Sequence, residues 1–168
     1  MTVRFLQLLS LLPMALAGTV QYPEVIPGPG LPSLESLGLT SEELWTKPFP
    51  EIEEGKLVAR FEPFCSFPDR AYTSVNDLRA CYNYLNALGS TACEIDPDHI
   101  VGMCSSGGAT VYGASLVGHR TSSKCEDVAK GLLWVVQGCT RSDQSCAGSA
   151  PAYGNGDLEV FGAASGYY

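Results

Sequence analysis

Apolar and polar positions beyond residue 64 alternate between two periods. Val75, Leu78, Tyr82, Leu85 and Leu88 share one face of a helix. Ser74 stands where an N-cap belongs, with Asp77 three positions on, and Gly89 is a natural stop. Cys81 lies next to the apolar face, placed to tie this helix to the core. Short β-prone runs follow at residues 91–95, 101–104 and 109–113, the last continuing through 114–117. Gly107 and Gly108 offer a hairpin turn between two of them. A second helix is predicted to open at Ser123, with Glu126 completing a capping box. Cys125, Val128, Leu132, Val135, Val136 and Cys139 recur along it at helical spacing, and Leu133 and Trp134 widen its apolar face. Tyr153-Gly154-Asn155-Gly156-Asp157 is a turn signal, and residues 158–161 read as a closing strand. Residues 163–168 read as a loose tail. Helix, clustered strands, helix, strand predicts an α+β fold: a two-layer sandwich with two helices on a mainly antiparallel sheet, stabilised by disulfides.

The chain before this domain has a different pattern. Residues 1–17 place Arg4 ahead of an apolar run and end in Ala15-Leu16-Ala17, an A-x-A cleavage signal. A membrane span needs about 20 apolar residues, and this run is shorter. The reading is a secretory signal peptide and a secreted, extracellular protein with no transmembrane anchor. Residues 18–63 hold seven of the eleven prolines, eight of the eighteen acids and no Cys. Such a composition reads as a disordered arm or pro-segment, with Arg60 as a candidate processing position. Within it, Thr40 and Glu43 frame a short capped helix that would carry Trp45 as an anchor on the domain. The domain itself spans residues 64–162.

Composition narrows the function. The 168 residues carry 18 acids against 10 bases, a formal net charge of −8, with no cluster of Lys and Arg. Phosphate neutralisation requires such clusters, so a nucleic-acid partner is not expected. All 7 cysteines (Cys65, Cys81, Cys93, Cys104, Cys125, Cys139 and Cys146) fall beyond the signal. Secretion turns that spacing into a disulfide framework. The rival metal reading finds no C-x-x-C, and His99 and His119 are not in ligand spacing with a Cys pair. An odd count leaves one thiol over, free or paired between chains. Cys93 and Cys104, on strands flanking a turn-forming stretch, are the favoured bridge.

Candidate chemistry is sparse. Gly113-Ala114-Ser115-Leu116-Val117-Gly118 is one residue too long for a nucleophile elbow. Glu94, Asp96 and Asp98 form the densest acidic stretch, a candidate carboxylate pair, a weak calcium loop that lacks the Gly and terminal Glu of an EF-hand, or, more simply, a solvated loop. Glu94 with Glu126 is an alternative glycosidase pair. Glu94, His119 and Arg120 supply the acid, base and phosphate-binding types of a small ribonuclease. No catalytic residue and no cofactor is assigned.

Asp77-Leu78-Arg79-Ala80-Cys81-Tyr82-Asn83-Tyr84-Leu85, Thr121-Ser122-Ser123-Lys124-Cys125-Glu126-Asp127-Val128-Ala129 and Ala152-Tyr153-Gly154-Asn155-Gly156-Asp157-Leu158-Glu159-Val160 together resemble small secreted cysteine-rich fungal proteins. More specifically, they resemble the Ecp-two-type extracellular effector domain and its relatives with a killer-toxin-like α/β sandwich. The resemblance covers roughly residues 64–162. It implies an effector linked to virulence, or a toxin-like protein, acting by contact on an unknown extracellular protein, membrane-protein or cell-wall target. It also implies six framework cysteines, matched by Cys65, Cys81, Cys93, Cys104, Cys125 and Cys139. Cys146 is then the extra, free thiol, and the protein a monomer unless Cys146 pairs between chains. Two other classes stay in view: a small secreted hydrolase or ribonuclease, and a structural cell-wall protein suggested by the Gly-rich, Tyr-ended tail.

Overall fold

The computed structural model describes residues 20–50 and 63–168. The signal segment 1–17 and Arg60 lie outside the described residues. In chain order the elements are β1 (Val25–Pro27), α1 (Ser41–Thr46), β2 (Thr73–Ser74), α2 (Val75–Ala87), β3 (Ala92–Ile95), β4 (Ile100–Ser106), β5 (Ala109–Ser115), β6 (Thr121–Lys124), α3 (Cys125–Cys139), β7 (Ser145–Cys146), β8 (Gly148–Ala152) and β9 (Asn155–Ala164). The main sheet runs β1-β4-β5-β9-β8 with every pairing antiparallel, and two small antiparallel ladders join β2 to β7 and β3 to β6.

The α+β class and the antiparallel sheet match the expectation; the helix count does not. Among the described residues there are three α-helices, because α1 of the arm packs on α2. The main core joins Leu78 and Leu85 of α2, Leu132 and Val135 of α3, and Val111, Leu158 and Val160 from alternate positions of β5 and β9. The opposite sheet face collects Tyr112, Phe161 and Ala163. Period-2 alternation thus sends neighbouring residues of one strand into two separate clusters. Gly131 lets α3 and β8 approach closely: a Cβ there would lie 2.7 Å from the Pro151 carbonyl oxygen.

Helix starts show local pattern yielding to tertiary pairing. The box at Thr40 forms in full: Thr40 Oγ1 accepts from the Glu43 amide, and the Glu43 carboxylate accepts from the Thr40 amide. At α2, Ser74 accepts from the Asn76 amide, but Asp77 accepts from the Gly108 amide at 2.7 Å and so braces the β4–β5 turn. The predicted box at Ser123 is absent. Ser123 is drawn into β6 opposite Cys93, and α3 begins at Cys125. Its first amides are satisfied by the Thr91 and Gly89 carbonyls instead.

Cys81 bonds Cys104, Cys93 bonds Cys125, and Cys65 bonds Cys139. The favoured Cys93–Cys104 bridge is therefore replaced. β3 pairs with β6, not β4, which carries Cys93 to the start of α3, while Cys104 faces α2. Bridges spanning 23, 32 and 74 residues each join a helix to chain distant from it. In the chain-entropy model, loops of this size are worth about 3–4.5 kcal/mol apiece. Cys146 is a free thiol, fully buried, and burial pushes it up to about 11. Pairing between chains would require the fold to open around it.

Two segments expected to be loose are ordered. Within the arm, residues 20–50 add β1 to the edge of β4 and bury Val25 and Leu44 in the main core. Proline and charge oppose an autonomous fold, but here an existing surface supplies the partners that the arm lacks. At the other end, β9 continues through Ala164, beyond the expected boundary. The Gly166 amide donates to Tyr112 Oη, and the rings of Tyr167 and Tyr168 pack on Phe67, Tyr112 and Phe161.

Candidate functional site

A surface groove of about 390 Å³ lies between the arm and the β3–β4 region. Pro29, Gly30 and Leu31 form one wall, and Val101, Gly102 and Met103 of β4 line it from the domain side. The third side carries charge: Glu94, Asp96 and Arg120. The β3–β6 register explains this placement. Glu94 pairs with Ser122 and Ile95 with Thr121, so Arg120 and Asp96 continue the ladder just beyond its last pair.

Arg120 donates through Nε to Asp96 at 2.7 Å and through Nη1 to Glu94 at 3.2 Å. All three side chains are more than half exposed, so water screens their attraction. The hydrogen bond and charge of Asp96, then the charge of Glu94, raise the Arg120 guanidinium above its ordinary value. Two carboxylates against one guanidinium leave the groove's rim net negative. A guanidinium so engaged is a poor phosphate clamp. The rim suits recognition of neutral or cationic groups by hydrogen bonding, above a thioether and aliphatic wall.

The predicted acid and arginine thus meet, and Asp96 joins them. The predicted base does not complete the set. His119 is exposed, and its Nδ1 lies 3.0 Å from the Arg120 carbonyl oxygen, holding the ring against its own strand. His99 likewise turns to the Pro97 carbonyl. Asp98 occupies a left-handed turn with φ of 63°. Glu126 sits at the start of α3, 3.8 Å from the Lys124 amine, and not with the groove's carboxylates. Asp96 was readable only as part of an acidic stretch, since its partnership with Arg120 depends on strand register.

A smaller cleft of about 200 Å³ lies at the far side of the sheet, between Phe64, Leu116, Ser149, Pro151 and Glu159. Phe64 and Leu116 are 57% and 59% exposed, an apolar pair left in solvent. Among the described residues no helix is long and apolar enough to cross a membrane.

The family model described as a domain of unknown function (DUF8794) matches residues 62–161. That is more than half of the chain, and the chain belongs to this family. No curated protein and no solved structure matches it.

Proposed function

We propose that this member of the family is a secreted effector or toxin-like protein. It acts by binding a host, competitor or cell-surface target and performs no chemistry of its own. The observation that carries the reading is the groove rim, where Arg120 is held by Asp96 and Glu94 in the open. Such an arrangement presents oriented donors and acceptors to a partner. Three bridges between helices and distant chain support life in an oxidising, protease-rich medium. The apolar N-terminal run with Arg4 and Ala15-Leu16-Ala17 supports export. The resemblance to Ecp-two-type and killer-toxin-like proteins, and their two-layer sandwich, supports the same reading.

The ribonuclease alternative draws less support. Its arginine is engaged by carboxylates and its histidine faces the main chain. The cell-wall alternative rested on the Gly-rich, Tyr-ended tail, and Tyr167 and Tyr168 of that tail are engaged on the sheet face. Purified mature protein and an Arg120→Glu variant, infiltrated into candidate host tissue beside a gene deletion, test the proposal. A response to the parent that the variant loses supports binding through the groove. No response to either protein, with an unaltered deletion strain, overturns the effector reading.

A further inference from the structure

Residues 20–50 hold no Cys, so no disulfide ties them to the domain. They also lie outside the stretch matched by the family model, which begins at residue 62. Yet the domain grips them along their length. Val25, Ile26 and Pro27 pair with Ser106, Ser105 and Cys104 on the edge of β4, and the Gly28 amide donates to the Met103 carbonyl at 2.8 Å. From α2, Asn83 Nδ2 donates to the Leu44 and Lys47 carbonyls at 2.8 and 2.7 Å. Arg79 Nη2 donates to the Trp45 carbonyl at 2.9 Å, and Tyr84 Oη to the Pro32 carbonyl at 2.7 Å. Val25 and Leu44, each 2% exposed, are the apolar anchors. Main-chain pairing along a sheet edge, with pockets for selected side chains, is how extended peptides are bound by strand addition.

We infer that the cleft between the β4 edge and α2 is a peptide-binding site whose resident ligand is the chain's own arm. Tyr84 reads the Pro32 carbonyl and Arg79 and Asn83 read the last carbonyls of α1, main-chain groups that do not depend on side-chain identity. Selectivity therefore rests on the anchors and on one glycine. A Cβ on residue 28 would lie 2.3 Å from the Gly102 carbonyl oxygen and 2.7 Å from the Met103 Cα, both main-chain atoms that cannot move aside cheaply. Position 26 is undemanding, since Ile26 points to solvent at 54% exposure. The site takes an extended segment with an aliphatic residue at the place of Val25 and glycine three positions later, leading to a short helix whose last carbonyls Arg79 and Asn83 hold.

The test uses the full chain with a protease recognition sequence placed within residues 51–62, cut after folding, and a fluorescent peptide of residues 20–50. The cut protein is expected to keep its arm through gel filtration. Labelled peptide then replaces the arm one for one, faster than global unfolding followed by near-UV circular dichroism in the same buffer. A Gly28→Ala peptide is expected to compete at least about tenfold more weakly, the equivalent of about 1.4 kcal/mol, and an Ile26→Thr peptide like the parent. Exchange no faster than global unfolding overturns the inference, because the arm is then an inseparable part of the core. An arm that leaves without being replaced, or a Gly28→Ala peptide that competes like the parent, overturns it too.

Discussion

Segments from opposite ends of the chain cover opposite sides of one domain, and they do so by different physics. The arm lies over α2 and the β4 edge, held by side chains that donate to four of its carbonyls and by two buried anchors. The tail lies on the outer sheet face through ring contacts: Tyr168 on Tyr112 and Phe161 at 5.2 Å, and Tyr167 on Phe67 at 6.0 Å. Hydrogen bonds constrain direction and register, so the arm has one seat. Aromatic packing is broad in its minimum and tolerates adjustment. Removing one donor from beneath the arm strands a buried carbonyl, whereas trimming the tail uncovers the rings of Tyr112 and Phe161.

The contrast predicts a graded series of effects. The largest belongs to neither covering. Cys81→Ser with Cys104→Ser, which frees α2 from β4, should lower stability by about 3–4 kcal/mol in urea unfolding. Asn83→Ala, which removes both of its bonds to the arm, should cost about 2 kcal/mol in the same assay. A change below 0.5 kcal/mol would show that the arm is not held by these bonds.

The arm should also respond to alkali. Burial pushes the Tyr84 phenol up to about 12, so the folded protein favours its neutral form. Its contribution is complete below about pH 10, the ordinary value for tyrosine, and is lost as pH rises through about 12. Stability measured across that window should fall less steeply in Tyr84→Phe. An identical slope would show that the phenol does not ionise on that side. Deleting Tyr167 and Tyr168 should cost only about 1 kcal/mol, read as a small shift in urea midpoint. A loss as large as that of Asn83→Ala would erase the distinction between the two coverings. Smallest of all, alkylating reagent at pH 8 should leave the native protein unmodified, since Cys146 is buried and held protonated. Denatured without reduction, the chain should yield one thiol.

Legibility followed the range of the interactions. The spans of α2 and α3 and the order of the central strands were visible because their period is written in adjacent residues. The Thr40–Glu43 box was visible for the same reason. The failed box at Ser123 looks as good in sequence, and lost only because β3 competes for the same residues. Arg79, Asn83 and Tyr84 read as the polar or off-face side of a helix, since nothing local announces that a second segment lies on it. The arm's prolines and acids oppose an autonomous fold, and say nothing about a surface waiting for it. At the groove, Glu94 and Arg120 were readable as residue types. Their meeting, the part played by Asp96 and the turning away of His119 were not.

Local residue pattern was enough for the α+β class, the main helices and the central strands, the short capped helix of the arm, and a cysteine set with one member too many. These follow from local periodicity, capping chemistry and counting. Contacts distant in sequence settle which cysteines bond, which carboxylates Arg120 meets, and that residues 20–50 and the C-terminal tail are seated on the domain. Each of these depends on strand register and on surfaces distant in sequence. A shift of one residue in β3 against β6 would separate Asp96 from Arg120 and turn Cys93 from Cys125, with no local residue pattern changed.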